Sequence, residues 1–265
     1  MSVRQPAVAG TFYNANAEEL QQEIQAFLAN IQEAPPKAAP AMLIVPHAGY
    51  VYSGQIAAFA YAQLKGHEDA YNRVIVLGPS HRVLLEGIAI SSDNRFETPL
   101  GQIHCDTSAI ARLSNLPFVA YRHDAHLLEH SLEVQLPFLQ TLLGEFELIP
   151  LVVGGIDPPQ LIAALESIWD EKTLLVVSTD LSHFHRDAPA RAIDENTIHK
   201  ILQYDPDIEG FEACGHFPLA GALGFAQQRG WDIQLLTKGN SGDIFGDKSR
   251  VVGYASFSLN STQAA

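Results

Sequence analysis

Four apolar runs decide the fold: 41-AMLIVPHAGY-50, 73-RVIVLGPSH-81, 147-ELIPLVVGG-155 and 173-TLLVVSTDLSHFH-185. Their apolar residues are continuous and do not alternate with polar ones, which is typical of strands that are buried on both faces. Helical patterns follow two of these runs, over residues 53–64 and 159–169. The sequence therefore predicts an α/β protein with a central, mostly parallel or mixed sheet that is flanked by helices on both faces.

The rest of the chain extends this unit. Residues 17–31 have apolar side chains at helical spacing, and residues 127–143 (LLEHSLEVQLPFLQTLL) predict a second helix of this kind. Residues 87–104 alternate between apolar and polar stretches, which indicates a hairpin. Residues 217–259 predict a helix and then two strands that extend the sheet in antiparallel orientation. We expect a single domain over residues 1–265.

Composition limits the classes of function. The chain has 265 residues, of which 30 are acidic and 16 basic, so its formal net charge is −14. An acidic chain of this kind lacks the positive surface that nucleic acids and anionic membranes attract. The N-terminus lacks the apolar run of a signal peptide, and we find no apolar stretch of about 20 residues. With only two cysteines, Cys105 and Cys214, we expect a cytoplasmic protein.

Three of the strand-like segments are followed by histidines, namely His47, His81 and His183. In open α/β sheets, ligands bind beyond the carboxyl ends of the strands. A single histidine there is more often an ordinary loop or core residue, but three at one sheet edge indicate a site if their strands are neighbours. Neutral imidazole is a common ligand for zinc, iron and copper.

Two further residues near these turns have metal-site chemistry. Asp180 either orients a histidine, binds a metal or holds a water, or it only caps a turn. Cys214 precedes a predicted helix with Pro218 in its first turn, where the helix dipole favours a thiolate; the alternative is a buried, inert thiol. We interpret Cys105 as structural, with a metal role beside His104 as the weaker alternative.

The remaining histidines are less informative. His130 lies on the predicted helix 127–143, and its neighbours Glu129 and Glu133 suit an acid/base or supporting role, although the pattern alone favours a position on the helix surface. Three other histidines are expected in solvent-facing loops: His67, His123 and His126. The common nucleotide-binding signatures GxGxxG and GxxxxGK[ST] do not occur.

Several longer motifs carry a resemblance to a known family. They are AVAGTFY (7–13), VPHAGYVYSG (45–54), VLGPSH (76–81), EHSLEVQLPFL (129–139), IPLVVG (149–154), STDLSHF (178–184) and ACGHFPL (213–219). They occur in the order found in Memo-like proteins, and the resemblance covers nearly the whole chain.

The resemblance implies a fold similar to that of the class III extradiol dioxygenases, which hold non-haem Fe(II) with two histidines and a carboxylate. In the Memo-like pattern a cysteine replaces the carboxylate. The implied metal ligands are His47, His81 and Cys214. Asp180 and His183 are implied beside the metal and His130 near the same pocket, and these three are the candidates for catalytic roles.

The family is associated with iron or copper binding and redox activity, and its animal member with phosphotyrosine peptides of a receptor. Bacterial members resemble component B of the AmmeMemoRadiSam set, which includes a radical-SAM protein. We therefore expect a redox protein with Fe(II) or copper that acts on an unknown small-molecule substrate. The alternatives are an extradiol dioxygenase, a zinc hydrolase and a non-catalytic module that binds a peptide or the radical-SAM partner. Ser182 stands where the animal pattern has cysteine.

Overall fold

The computed structural model describes residues 2–32, 36 and 38–261. Within these ranges a mixed sheet is surrounded by helices. The strands are β1 (Val3–Arg4), β2 (Pro40–Val45), β3 (Arg73–Pro79), β4 (Ile88–Ile90), β5 (Arg95–Thr98), β6 (Gly101–Cys105), β7 (Val119–Tyr121), β8 (Glu147–Val153), β9 (Thr173–Ser178), β10 (His183–His185), β11 (Trp231–Asn240) and β12 (Val251–Ser261). The α-helices are α1 (Ala17–Ala29), α2 (Tyr50–Tyr61), α3 (Thr107–Leu113), α4 (His123–Leu127), α5 (Leu136–Leu143), α6 (Pro158–Ile168), α7 (Asp187–Leu202), α8 (His216–Gln228) and α9 (Ser241–Phe245).

The centre of the sheet has the strand order β6-β8-β3-β9-β2, and all neighbours in this part are parallel. β12 pairs with β2 in antiparallel orientation and β11 pairs with β12 in the same way, as predicted for the C-terminal strands. The predicted hairpin corresponds to the antiparallel pair β5 and β6. The structure thus confirms the predicted α/β class with a mostly parallel, mixed sheet.

The connections place helices on both faces. The chain crosses from β2 through α2 to β3 in one direction along the sheet, and from β8 through α6 to β9 in the other. Crossovers between parallel strands are almost always right-handed, so opposite directions put α2 and α6 on opposite faces. α1 and α5 pack with α2, whereas α3 and α8 pack with α6.

Local sequence signals define the helix ends. The side chain of Asn16 accepts hydrogen bonds from the backbone N–H groups of Glu18 and Glu19 at the start of α1, which satisfies donors that the helix leaves free. The buried face of α1 has the predicted helical spacing. Among the described residues, we find no helix with both the length and the apolar character that a membrane crossing requires.

Residues 127–143 do not form the single helix that the leucine spacing predicted. α4 ends at Leu127, and α5 begins only at Leu136 with Pro137 in its first turn, where the missing N–H costs nothing. Between them the chain makes turns, because the carboxylates of Glu129 and Glu133 are buried and accept hydrogen bonds from distant segments. His130 therefore lies on a loop and not on a helix.

The packing of α5 against α2 generates a prediction for stability. Phe138 is fully buried, and its ring stacks on Tyr61 with centroids 4.8 Å apart. We expect Phe138→Ala to lower the free energy of unfolding by about 3–5 kcal/mol, because a cavity replaces the ring. Leu84→Ala, at a side chain that is 92% exposed, should change it by less than about 0.5 kcal/mol. Urea unfolding measures both, and equal effects would contradict the packing described here.

Candidate metal centre

The sheet order brings two of the strand-end histidines together. β9 lies between β2 and β3, and Val45 at the end of β2 is in register with Ser178 at the end of β9. His47 and His81 each follow two residues after their strands end. Their ring centroids are 5.0 Å apart and the ring planes make an angle of 81°. The convergence expected for neighbouring strands is therefore present for these two residues.

Cys214 reaches the same point from the loop before α8. Its Sγ lies 3.2 Å from Nε2 of His47 and accepts the backbone N–H of Asp180 at 3.3 Å. One donor atom from each of His47, His81 and Cys214 lies within 4.8 Å of the other two. The structure thus assembles a group of two histidines and one cysteine at the carboxyl edge of the sheet.

Hydrogen bonds fix the imidazole of His47. Nδ1 of His47 lies 2.9 Å from Oγ of Ser178, whose own hydroxyl proton is donated to the carbonyl oxygen of Ser131 at 2.6 Å. Oγ of Ser178 also accepts the side-chain N–H of Gln135. It must therefore accept from His47, which places the ring proton on Nδ1. Burial, and secondly the nearby His81, lower the pKa of His47, so the ring is neutral and Nε2 has a free lone pair.

A buried carboxylate fixes the imidazole of His81 in the same way, with the ring proton on Nδ1. Nδ1 of His81 lies 2.9 Å from Oε1 of Glu129, and the backbone N–H of His81 donates to Oε2 at 2.6 Å. Burial by itself raises the pKa of the Glu129 carboxyl, but its hydrogen bonds with His81 and with the backbone N–H of Ser131 outweigh burial and lower this pKa to about 2. An ionised acceptor holds the proton on Nδ1 and leaves Nε2 for a ligand, the arrangement usual behind metal-binding histidines.

This donor set fits a metal ion. The two Nε2 lone pairs lie in nearly perpendicular ring planes, so they can meet at one point beside the sulfur of Cys214. His81, Glu129 and His130 form an overlapping group. There, the rings of His81 and His130 are stacked at 29° with centroids 4.6 Å apart, and lone pairs in nearly parallel planes do not converge. The group of His47, His81 and Cys214 is therefore the better candidate.

Asp180 connects the loops of two candidate ligands. Its Oδ1 accepts the backbone N–H of His47 at 2.7 Å, and its own backbone N–H donates to Sγ of Cys214. Burial raises the pKa of this carboxyl. Among the roles that the sequence allows for Asp180, the geometry agrees with orienting a histidine, because the carboxylate contacts the backbone of His47.

His183 and His130 lie around this group without joining it. His183 begins β10, and its Nδ1 lies 2.8 Å from the carbonyl oxygen of Leu181, which leaves Nε2 as an acceptor. The ring of His130 stacks on His81 and meets His47 edge-on at 5.4 Å. Burial, and secondly the proximity of His47, lower the pKa of His130 to about 4, so this ring is neutral near pH 7.

Two sequence expectations need correction, and a third agrees with the structure. The thiol of Cys214 does precede a helix N-terminus, but burial and secondly the charge of Asp180 raise its pKa, so the thiolate is not favoured in the metal-free chain. His126 is buried and not solvent-facing, because its Nε2 hydrogen bonds with the carbonyl oxygen of Ala89. Cys105 lies in the apolar core, as its structural interpretation requires.

Sequence reasoning missed the residues that hold the histidines. The sequence pattern indicates Glu129 only as a neighbour of His130 and does not indicate Ser178 or Gln135. A signal for them exists, because Glu129, Glu133 and Gln135 interrupt a leucine-rich segment and polar residues in such a segment need buried partners. The identity of those partners depends on contacts between residues far apart in sequence.

Exposed apolar side chains are concentrated near the site residues in sequence. Of the eleven large apolar residues that are exposed in the described part of the chain, eight lie within five residues of a site histidine or Cys214, and Phe245 packs on one of these eight, Tyr52. These nine, which we call the apolar rim, are Val51, Tyr52, Leu84, Leu127, Leu128, Phe184, Phe211, Phe217 and Phe245. Phe184 has a left-handed backbone with φ of 62° at a bulge in β10, a strained conformation that exposes its ring. Clusters of this kind mark binding surfaces.

Fold and site together define an α/β protein with a candidate metal centre of two histidines and one cysteine. The chain belongs to the Memo-like protein family, whose model matches residues 4–258. Among similar proteins, a MEMO1 family protein of Aquifex aeolicus is 36% identical, covering 96% of this chain and 98% of its own. The MEMO1 family protein TV1383 of Thermoplasma volcanium is 34% identical, covering 96% and 97%.

A solved structure supports the fold independently. The crystal structure of the uncharacterized protein JW3007 from Escherichia coli K12 matches with a TM-score of 0.56 and covers 83% of this chain and 99% of its own. Only 14% of the aligned residues are identical, so this match concerns the fold alone.

The raised pKa of Cys214 predicts how metal affinity depends on pH. In the metal-free chain the thiol keeps its proton near neutral pH, and a metal ion must displace it. We expect the affinity for Zn²⁺ to rise about tenfold per pH unit between about pH 7 and 8, with release of about one proton. Calorimetry in buffers of different ionisation enthalpy measures this. Cys214→Ser should remove the proton release, and pH-independent binding by the wild type would contradict the assignment.

Proposed function

We propose that the chain is a non-haem metalloprotein that holds iron or copper at His47, His81 and Cys214 and acts as an oxidoreductase on a small-molecule substrate. One observation carries the proposal: both Nδ1 atoms lie against oxygen acceptors, which leaves Nε2 as the donor of each ring, and one donor atom from each of His47, His81 and Cys214 lies within 4.8 Å of the other two. The free thiols of Cys105 and Cys214 suit a reducing, cytoplasmic location.

The donor types fit iron or copper, the redox-active metals of the proposal. Imidazole binds iron, copper and zinc, and a thiolate favours softer ions such as Cu(I) over the hard ions that prefer carboxylates. Bound iron or copper supplies electron transfer and polarises a coordinated oxygen atom. Zinc fits the same three ligands and would supply hydrolytic chemistry instead, so we keep it as an alternative.

Three residues of the chain are placed to handle protons and position groups. His130 is neutral near pH 7 and stacks on His81, so it can accept a proton from a substrate at the site. His183 presents Nε2 as a second acceptor, because its Nδ1 is bound to a carbonyl oxygen. Asp180 holds the backbone of His47 and thereby the ligand loop. We assign acid/base roles to the histidines and an orienting role to Asp180.

An extradiol dioxygenase is the alternative within the same chemistry. The fold expected from the family resemblance is that of such enzymes, and two histidines are in place. The third donor is the thiol of Cys214 and not the carboxylate that completes the two-histidine facial triad of oxygen-activating iron. This difference favours another redox reaction over ring cleavage.

The apolar rim favours a second candidate function. The radical-SAM protein of the AmmeMemoRadiSam set is the partner expected from the family resemblance, and exposed apolar and aromatic side chains are common in protein interfaces. In this alternative the chain binds its partner over the rim, with or without catalysis of its own.

Metal analysis tests the main proposal. Protein purified without oxygen should contain close to one equivalent of iron or copper, and Cys214→Ser should contain much less, because it loses the sulfur ligand. Elemental analysis measures the content, and Cys105→Ser, at the buried thiol outside the site, is the matched control. Zinc in place of iron or copper would favour hydrolysis. Absence of any metal after anaerobic reconstitution would contradict the proposal, and rapid oxygen uptake with a panel of catechols would favour the dioxygenase.

Rim variants test the second candidate. Phe184→Ser and Phe217→Ser should each weaken binding to the purified radical-SAM protein by about tenfold or more, as expected for aromatic residues central to an interface. Tyr121→Ser is the matched control, because Tyr121 is exposed to a similar extent but lies outside the rim. His47→Ala should abolish metal binding and leave the partner's affinity unchanged. Equal affinities for all variants would exclude docking on the rim.

A further inference from the structure

The N-terminal motif that contributed to the family resemblance has no part in the site described so far. It contacts Glu133, which is completely buried and whose carboxylate touches none of the candidate ligands. Glu133 accepts the backbone N–H groups of Ala7 at 2.8 Å and Val8 at 3.0 Å, and the hydroxyl of Tyr13 at 2.6 Å. Arg4 completes this set with an ion pair. Glu133 is therefore an anchor for the N-terminal segment.

Arg4 makes two further contacts with the same loop. Its Nη2 donates to the carbonyl oxygen of Glu129 at 2.7 Å, and its Nε donates to that of His126 at 3.0 Å. Arg4 is only 2% exposed, and its backbone is in β1, which pairs with β5. One guanidinium thus fixes three points of the loop 126–133 to the edge of the sheet.

The loop held in this way carries the residue that orients His81. Arg4 binds the main-chain carbonyl of Glu129, while the Glu129 carboxylate binds Nδ1 and the backbone N–H of His81. A displacement of the Glu129 backbone would move this carboxylate and turn the His81 ring. Ligands supported by hydrogen bonds lose metal affinity when the support is removed.

The same segment also supports the other side of the site. The ring of Phe12 packs on His130 with centroids 4.7 Å apart, and the carbonyl oxygen of Phe12 accepts the backbone N–H of Tyr50 at 2.7 Å. Tyr50 begins α2, three residues after His47. The N-terminal segment therefore contacts the start of α2 after His47 directly and reaches His81 only through Glu129.

We propose that Arg4 and Glu133 are positioning residues of the metal centre, which act through Glu129 to hold the Nε2 atom of His81 towards the ion. This inference rests on the proposed metal function. If it is correct, Arg4 and Glu133 affect metal affinity although neither binds the metal. A purely structural ion pair would not have this effect.

Cobalt titration of the full chain separates positioning from stability. Co²⁺ binding to histidine and thiolate ligands is followed by its absorption bands, and the thermal stability of each metal-free variant is measured alongside. Arg4→Lys keeps the charge but loses the planar fork that reaches Glu129 and Glu133 together. We expect it to weaken Co²⁺ binding by about tenfold or more, as for removal of other supporting groups. Arg73→Lys is the matched control.

Arg73 suits this purpose because it also pairs with carboxylates and donates to a backbone carbonyl, but at the opposite end of β3 from His81. Its substitution by lysine should lower stability and leave Co²⁺ affinity unchanged. Glu129→Gln measures how much Co²⁺ affinity is lost when the carboxylate that binds His81 is itself replaced. Because Arg4 acts through Glu129, Arg4→Lys combined with Glu129→Gln should bind Co²⁺ about as weakly as Glu129→Gln alone.

Each outcome decides the inference. The positioning role is overturned if folded Arg4→Lys binds Co²⁺ with wild-type affinity. It is also overturned if the effects of Arg4→Lys and Glu129→Gln on Co²⁺ affinity are additive. Both results leave the metal centre intact. If Arg4→Lys does not fold, Tyr13→Phe decides, because it removes one hydrogen bond to Glu133 at constant shape: about threefold weaker binding supports the role and unchanged binding overturns it. Failure of the wild type to bind Co²⁺ would overturn the metal centre and this inference with it.

Discussion

The candidate site depends on how two imidazole rings are held. Ser178 and Glu129 accept the Nδ1 protons of His47 and His81, which leaves the Nε2 lone pairs free. Without these two acceptors either ring could present a proton to the centre of the site and exclude a cation. The acceptors are buried and bound in turn by other groups, so the orientation of each ring is fixed before any ligand arrives.

The sheet makes this arrangement possible. β9 separates β2 from β3, so the turns after all three strands open at one edge, and the end of β9 supplies both Ser178 and Asp180. The loop 126–133 supplies Glu129 and is fixed from outside by Arg4. Cys214 comes from the loop before α8, and the same Asp180 donates its backbone N–H to the sulfur. The site is therefore composed of contacts between segments far apart in the chain, each fixed by a parallel strand or a buried charge.

The sequence predicted those parts that depend on local pattern. Continuous apolar runs between helical segments gave the α/β class, and the histidines after these runs gave the edge at which the site lies. The helix expected over residues 127–143 is confirmed for α5 and wrong for the residues before it, because leucine spacing does not reveal that Glu129 and Glu133 turn inward towards residues distant in sequence. The order of the strands could not be predicted from the sequence pattern. The proximity of His47 and His81 therefore followed only if their strands were neighbours. The family resemblance supplied Cys214 as a ligand, which a single thiol before a helix does not establish.

X-ray absorption spectroscopy of the zinc-loaded protein tests the central claim most directly, because it reports the donor atoms whatever the native metal is. If His47, His81 and Cys214 bind one ion, the spectrum will show one sulfur at about 2.3 Å and two imidazole nitrogens at about 2.0–2.1 Å. The sulfur contribution will disappear in Cys214→Ser. A wild-type spectrum with only nitrogen and oxygen donors would contradict the account, since the ion would then lie away from the point where the two rings and the thiol meet.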